Sequence, residues 1–148
     1  MKSLHLATAD DAPKLLALVA AFHSEQGHEI TPEHQEHAIL PLLDGAPHGA
    51  IWLIGPRKSP VGFVVVTFGW SLELGGLEAH IPALYIRPAV RKRGMGGEAL
   101  AGISKAMSDA GVAALHLRIP RDDEATQRFC QRARFAPQKD TLLLTRLL

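Results

Sequence analysis

The sequence predicts a mixed α/β domain. Short apolar and β-branched runs alternate with longer segments of helical periodicity, and glycine or proline clusters separate them. The 148 residues include 47% apolar and 21% charged residues, an ordinary globular composition. A chain of this size can bury a core without metals or disulfides, so we expect a single domain over residues 1–148.

The N-terminal part of the chain is marked by helix caps and prolines. Thr8 or Asp10 can cap a first helix, which tolerates Pro13 in its first turn, and Thr31 with the proline after it starts a second helix. Proline and glycine in residues 41–45 end that second helix. The predicted elements are a strand at 4–7, a helix from 8 or 10 to about 26, and a helix from about 32 to near 41.

The central part of the chain predicts three strands. Residues 61–68 are almost wholly apolar and β-branched, which is typical of a strand buried on both faces. Turns rich in glycine and proline lie at 55–60 and 75–76. The predicted strands are 50–54, 61–68 and 80–87, and Pro88 limits the last one.

The C-terminal part predicts two helices and two strands. Apolar or small residues recur at helical spacing after Gly94, and Gly111 is a good helix stop. Asp122 or Asp123 can cap the second helix. The predicted elements are a helix at 94–110, a strand at 112–119, a helix ending near 132, and a last strand at 141–147.

Charge and cysteine content narrow the function classes. The net charge is only +1, so the cluster of cations at residues 87–93 is local, and with few aromatic residues it argues against nucleic-acid binding. The apolar run 15–22 is too short to cross a bilayer, and the aspartates before it argue against a signal peptide. The single cysteine excludes an intramolecular disulfide. We therefore expect a cytoplasmic protein that binds no membrane.

The glycine-rich turn R-K-R-G-M-G-G at residues 91–97 lies between a predicted strand and a predicted helix. The N-terminus of a helix carries unpaired N–H groups and a partial positive charge, and glycines let a bulky anion approach the backbone. The cations before the glycines add charge at the same place. The pattern predicts a ligand that bears a diphosphate, while an ordinary tight turn with solvated cations is the alternative.

Two familiar phosphate-binding motifs fit this turn poorly. A nucleoside-triphosphate loop needs Lys-Ser or Lys-Thr after the glycines, and neither follows here. Residues 94–99 match the dinucleotide pattern G-x-G-x-x-A. However, seven residues separate Ile86 from Gly94, and only 54 residues remain after Gly94 to complete a nucleotide-binding sheet.

A third pattern fits best. Arg91-x-x-Gly94-x-Gly96, after a strand that ends in L-Y-I-R-P, resembles the coenzyme signature [QR]-x-x-G-x-[GA] of the GNAT superfamily of N-acetyltransferases. Residues 60–76 are similar to the family's third strand and the following turn, and residues 123–135 are similar to its C-terminal helix motif. The resemblance covers nearly the whole chain. It implies a central, mostly antiparallel sheet flanked by helices on both faces.

The resemblance also implies a binding site for acetyl-coenzyme A. In the family, backbone groups of the fourth strand pair with the pantetheine arm, one N–H polarises the thioester carbonyl, and the glycine turn holds the pyrophosphate. The positions that match these roles are Leu84, Tyr85, Ile86, Arg91, Lys92, Arg93, Gly94, Met95, Gly96, Gly97, Asp123 and Arg132.

The catalytic base departs from the family pattern. Many members carry a carboxylate about fourteen residues before the first signature glycine or nearer the end of the strand. Here His80 stands fourteen residues before Gly94, and Pro82 and Ala83 occupy the later positions. By alternation Glu78, His80, Pro82 and Leu84 share one strand face, so Glu78 and His80 are the local candidates. A half-exposed His80 without a role is the alternative.

The position of the catalytic acid also differs from the family pattern. Cys130 occupies the position of the family tyrosine, and Arg134 that of the family glycine before Phe135. Three roles are open for Cys130: proton donor, acceptor of a covalent acyl group, or a small buried residue while solvent protonates the thiolate. Tyr85 is the only tyrosine, and alternation turns it away from the face of Leu84.

On the acceptor side, the family position of the substrate implicates Glu25, Trp70 and Glu73. The two carboxylates could attract a cationic amine, and the indole could supply a wall or a cation–π face. No metal site is expected, because His34 and His37 lack the H-E-x-x-H pattern of zinc proteases.

Together these observations predict an N-acetyltransferase. It moves an acetyl group from acetyl-coenzyme A to a primary amine of a small molecule, by direct transfer in a ternary complex. The alternatives are a non-catalytic coenzyme-A-binding module, suggested by the changes at residues 82, 83 and 130, and an acetyltransferase for a protein or peptide amine. A homodimer is a family expectation, and the apolar segment 141–147 suits either a dimer interface or a core strand.

Overall fold

The structure is a computed structural model that describes residues 3–148. The chain divides into two compact units, Met1–Arg118 and Ile119–Leu148. The prediction that all 148 residues form a single domain stays a prediction. None of the helices in the described part of the chain is both long enough and apolar enough to cross a bilayer.

The first unit contains a five-stranded mixed sheet in the order β1-β2-β3-β4-β5. Neighbouring strands are antiparallel from β1 to β4, and β5 runs parallel to β4. Two 3₁₀ turns, Ala9–Asp11 and Pro88–Val90, precede helices α1 and α3. The elements are β1 (Leu4–Leu6), α1 (Ala12–Glu25), α2 (Pro32–Leu43), β2 (Gly49–Ile54), β3 (Gly62–Ser71), β4 (Gly76–Ile86), α3 (Met95–Asp109) and β5 (Ala114–Leu117).

Helices α1 and α2 cover one face of the sheet. Phe63 on β3 and Tyr85 on β4 lie opposite each other and belong to one buried cluster with residues of both helices. Burying this apolar surface is the main stabilising contribution in this half of the core. The other members of the cluster are Ala7, Leu15, Leu18, Val19, Ile39, Ile51 and Leu53.

Helix α3 packs on the other side. Val64 and Val66 of β3 point away from Phe63 and are fully buried, as is Ala79 of β4. Helix α3 contacts β4, and its inward stripe is Ala99, Leu100, Ile103 and Met107. The predicted architecture, a mostly antiparallel sheet with helices on both faces, is confirmed.

One buried polar pair lies between α1 and α2. The buried Gln35 side chain is 3.0 Å from Nδ1 of His23, and its amide group can donate to that nitrogen. Partial burial lowers the pKa of His23, and the nearby His28 and His34 lower it further. A neutral His23 can accept the hydrogen bond from Gln35, so the pair leaves no unsatisfied amide in the core.

The second unit contains α4 (Glu124–Arg132) and an irregular segment. Asp123 caps the start of α4 through Thr126. At the other end Arg134 has φ +72°, its N–H donates to Gln131 O, and the N–H of Phe135 donates to Cys130 O. These two bonds form a Schellman motif with an arginine at the left-handed position.

The predicted last strand at 141–147 is wrong. Residues 135–148 of the described chain form no helix or strand, and residues 141–148 are all exposed. The threonine and leucine residues have strand propensity, but a strand also needs a partner that receives its backbone hydrogen bonds. Nothing in this segment tests the expectation of a homodimer, which stays a prediction.

We expect Arg134→Gly to stabilise the protein by about 0.5–1 kcal/mol, because glycine adopts a positive φ without a Cβ clash. Urea unfolding followed by circular dichroism measures the change. Arg128→Gly is the matched control, because Arg128 is a solvent-exposed residue in the middle of α4. Glycine at a helical position should lower the free energy of unfolding by about 1 kcal/mol. Equal destabilisation by both variants would contradict the strain at Arg134.

Candidate active site

A β-bulge in β4 determines the geometry of the site. Val65 pairs with Ala83 and Thr67 pairs with His80, so Val66 alone lies opposite both Ile81 and Pro82. Proline at a bulge is tolerated because no ladder hydrogen bond has to be donated there. The parallel pairing of β4 with β5 covers Glu78 to Ile81 and ends at the same point.

The bulge changes which backbone groups face which neighbour. Before it, Leu77 O accepts from Ala113 N at 2.8 Å, so odd-numbered residues face β5. Beyond it, Arg87 N donates to Val61 O at 2.8 Å, so odd-numbered residues face β3. By alternation the backbone groups of Leu84 and Ile86 then point to the side where β5 has ended. In the part of the chain that the structure describes, no strand pairs with this open edge of β4.

The bulge also corrects the side-chain alternation expected from the sequence. Glu78 and His80 lie on the face of α1 and α2, and beyond the bulge Ala83 and Tyr85 return to that face. The expectation that Leu84 shares a face with Glu78 and His80 is therefore wrong, whereas Tyr85 does face away from Leu84. Tyr85 is buried, and its backbone pairs with Phe63 in β3, so it contributes nothing to the open edge.

The glycine-rich turn leads into α3 with unpaired amides. Gly94 is the N-cap with φ +82°, and it offers no side chain to the first turn of the helix. Within residues 3–148 the N–H groups of Met95, Gly96 and Gly97 have no backbone or side-chain acceptor. A Cβ on Gly97 would meet no atom within 4 Å, so there is room above the backbone. The turn can therefore receive an anion.

The cations before the glycines divide into two kinds. Lys92 and Arg93 are exposed and form no ion pair within residues 3–148, and Lys92 has φ +64°. Arg91 instead donates from Nε to Ile86 O at 2.7 Å and from Nη2 to both carboxylate oxygens of Glu25 at 2.7 and 2.8 Å. Its guanidinium also lies 5.6 Å from the Tyr85 ring centroid.

This pairing joins two residues that the sequence assigned to different ligands. Glu25, expected to attract the amine, is engaged by Arg91, which was expected to face coenzyme phosphate. Both side chains are more than a third exposed, so the pair itself contributes only about 0.2–1 kcal/mol to stability. Its main effect is to fix the start of the glycine-rich turn against the end of α1.

A cluster of Glu78, His80 and His116 lies just before the bulge. His116 pairs with His80 across β4 and β5, and their ring centroids are 4.9 Å apart. Glu78 Oε2 is hydrogen-bonded to His116 Nε2 at 3.1 Å, whereas Glu78 Oε1 and His80 Nε2 are 3.8 Å apart. That longer distance is not a hydrogen bond. Both candidate bases named from the sequence therefore lie side by side, next to an imidazole that the sequence did not single out.

The cluster borders a pocket of about 320 Å³. That volume lies at the lower end of the range for small-molecule sites. The pocket also reaches the bulge and includes one cation. Its lining residues are Thr67, His80, Ile81, Pro82, His116 and Arg118.

Trp70 and Glu73 lie away from this cluster. Trp70 pairs with Leu77 and is three residues along β3 from Thr67, so its exposed indole is on the opposite sheet face from His80. Glu73 is exposed in the turn between β3 and β4. Neither residue lines the pocket beside His80.

The remaining predicted site residues lie in the second unit. Asp123 accepts from Thr126 Oγ1 at 2.6 Å and from Thr126 N at 3.1 Å, and these bonds lower its pKa. Cys130 is buried, and burial raises the pKa of its thiol, with a further contribution from the charge of Asp123. Arg132 is exposed in the last turn of α4.

Sequence reasoning missed His116, Thr67 and Arg118. Both His116 and Arg118 were inside the predicted strand 112–119, but the observed β5 spans Ala114–Leu117, so His116 lies in the strand and Arg118 directly follows it. What the sequence could not supply was the register that sets His116 beside His80.

Residues 13–135 match the model of the Acetyltransferase (GNAT) family. Among solved structures, the integron cassette protein HFX_CASS3 from the mobile metagenome of Cole Harbour Salt Marsh is 30% identical. It superposes with a TM-score of 0.86 over 99% of this chain and 90% of that one.

Two further structures share the fold. A protein of Arthrobacter sp. FB24 assigned as an acetyltransferase is 23% identical, with a TM-score of 0.85 over 100% of this chain and 97% of that one. The aminoglycoside acetyltransferase meta-AAC0020 from an uncultured soil metagenomic sample is 13% identical. It superposes with a TM-score of 0.78 over 98% of this chain and 95% of that one. The resemblance inferred from residues 91–97 is thereby confirmed, and the chain belongs to the GNAT family of acetyltransferases.

Proposed function

We propose that this chain transfers an acetyl group from acetyl-coenzyme A to a primary amine of a small molecule, directly and in a ternary complex. The observation that carries the proposal is the open edge of β4 beyond the bulge, which leads into the unpaired amides of α3. The pantetheine arm of the coenzyme contains amides that can pair with such an edge. Its pyrophosphate needs N–H donors at the end of that arm.

The coenzyme contacts in this proposal come from the first unit. Leu84 pairs with the pantetheine through its backbone groups and Ile86 through its N–H, since Ile86 O already accepts from Arg91. The amides of residues 95–97 receive the pyrophosphate. Lys92 and Arg93 add positive charge that no carboxylate of residues 3–148 neutralises. Arg91 and Tyr85 act indirectly, because Arg91 holds the turn to Ile86 O and packs over the tyrosine ring.

His80 is the proposed base. The amine nitrogen attacks the thioester carbonyl carbon, His80 takes the proton of the amine, the C–S bond breaks, and the thiolate of coenzyme A is protonated by solvent. Glu78 lies 3.8 Å from His80 Nε2, so its carboxylate stabilises the imidazolium that forms. In this proposal, an imidazole with a carboxylate beside it replaces the carboxylate that the family pattern leads one to expect near residues 82 and 83.

The pocket beside His80 supports a small acceptor. A volume of about 320 Å³ suits part of a small molecule, and the proposed base His80 is among the residues that line it. Glu25 and Trp70 take no part, since one is paired with Arg91 and the other lies on the opposite sheet face. Because meta-AAC0020 is an aminoglycoside acetyltransferase, aminoglycosides lead the acceptors to be tested.

Among the three roles open for Cys130, its burial favours the inert one. A raised pKa leaves less thiolate to accept an acyl group and makes the thiol a weaker proton donor. We therefore assign no chemical step to Cys130.

Acetyl-coenzyme A should bind the wild-type protein, and Gly96→Glu should weaken binding at least about tenfold, because the new carboxylate repels phosphate at the α3 amides. Isothermal titration calorimetry measures both affinities. Ser104→Glu, which adds the same charge at an exposed position two turns along α3, is the control and should bind like wild type. A folded wild type that binds no acetyl-coenzyme A would overturn the proposal.

His80→Gln should lower the rate of coenzyme A release about 10²–10⁴-fold with a responsive amine, because it removes the proton acceptor. The affinity for acetyl-coenzyme A should be kept. The assay follows the free thiol over a panel of primary amines, with His48→Gln, an exposed loop histidine, as the control. Coenzyme binding without thiol release for any small or peptide amine would favour the non-catalytic alternative. A fully active His80→Gln would remove His80 as the base.

Cys130 should react slowly with iodoacetamide in the native protein and at least about tenfold faster in urea, because burial hides the thiol and raises its pKa. Mass spectrometry of timed samples measures the rates. Asp123→Asn keeps a helix-capping side chain but removes the charge, so it should speed the native reaction modestly. Rapid alkylation of native wild type would reopen a chemical role for Cys130.

A further inference from the structure

Three side chains in the first unit place metal-binding atoms together. One ligand atom from each of Glu78, His80 and His116 lies within 4.8 Å of the others. We propose that these three residues bind a divalent transition-metal ion, of which Zn²⁺ fits best. This site is distinct in sequence from the histidines of α2, on which the expectation of no metal was based.

The distances suit a tetrahedral ion. Zn–N and Zn–O bonds of about 2.0–2.1 Å at tetrahedral angles put neighbouring ligand atoms about 3.3 Å apart. Glu78 Oε2 and His116 Nε2 are 3.1 Å apart, and one ligand atom from each of the three residues lies within 4.8 Å of the other two. Small side-chain rotations would therefore complete three of the four positions, and solvent would supply the last.

The cluster is accessible and only partly satisfied by its own hydrogen bonds. The side chains of Glu78, His80 and His116 are 25%, 33% and 40% exposed, so an ion can enter without opening the core. Glu78 bonds to His116, but His80 Nε2 is too far from the carboxylate for a hydrogen bond. A metal ion would coordinate all three side chains, whereas hydrogen bonding within the protein connects only Glu78 and His116.

The ligand types set the class of metal. Two imidazoles and one carboxylate suit Zn²⁺ and its first-row neighbours, whereas Mg²⁺ and Ca²⁺ prefer oxygen ligands. One carboxylate leaves a bound dication with a charge of +1, and Arg118 borders the same pocket. We therefore expect dissociation constants of about micromolar rather than the much tighter binding of closed structural zinc sites.

Metal binding has a consequence that rests on the proposed function. An ion bound at His80 Nε2 occupies the lone pair that would take the proton from the amine. Zn²⁺ should therefore inhibit acetyl transfer while it leaves the coenzyme contacts on β4 and α3 intact.

The direct test is a titration of the chelator-treated full chain with Co²⁺ and Zn²⁺. We expect one equivalent of Co²⁺ to give the visible absorption of tetrahedral coordination, and Zn²⁺ to displace it. Glu78→Gln and His116→Gln should each weaken binding at least about tenfold. His37→Gln is the matched control, because His34 and His37 are also a neighbouring pair, on exposed α2 positions, with ring centroids 6.5 Å apart.

The outcomes separate the metal site from the proposed chemistry. A wild type that binds no metal, or Glu78→Gln and His116→Gln variants that bind like wild type, would overturn the site. Stoichiometric binding that is lost in both variants would support it, whatever the enzyme activity. If the ion binds at the cluster but thiol release continues unchanged, the metal site stands and His80 is not the base.

Discussion

The bulge at Ile81 and Pro82 is the constraint on which the site depends. One extra residue opposite Val66 reverses the direction of the backbone groups along β4, so the strand pairs with β5 before the bulge and has an open edge after it. Because of this extra residue, the Tyr85 side chain lies on the same sheet face as His80, where Tyr85 packs in the core beneath α1. Without the extra residue, either the hydrogen bonds with β5 would continue or the apolar side chains beyond it would turn to the other face.

Arg91 connects this edge to the glycine-rich turn. Its guanidinium bonds to the end of β4 through Ile86 O and to the end of α1 through Glu25, and it packs over Tyr85. Pairing one cation internally keeps the turn in place, and Lys92, Arg93 and the first amides of α3 remain available to an anion. The local excess of positive charge thus has two parts, one that shapes the turn and one that can attract a ligand.

The sequence was sufficient for most elements of the first unit, because caps, turns and apolar periodicity agree there. It also located the family signature at residues 91–97. It failed where long-range pairing decides the outcome. Residues 141–147 have strand propensity but pair with no other strand of the described chain. The bulge at Pro82 changed the alternation of side chains along β4. The Arg91–Glu25 contact joins residues 66 positions apart. The role of His116 could not be predicted from the sequence for the same reason, because only the register of β5 places it beside His80.

The bulge also explains why a proline can stand at a position of β4 where the family pattern leads one to expect an acid. Pro82 occupies a bulged position, where no ladder bond is required of it, but it removes any acidic side chain from that point of the strand. The residues of β4 whose side chains can carry out acid–base chemistry, Glu78 and His80, lie before the bulge, where β5 is still paired. There Glu78 and His80 share a face with His116. The proposed base, an imidazole beside a second imidazole and a carboxylate, has the ligand set of the proposed metal site, so the two proposals assign acid–base chemistry and metal binding to the same residues.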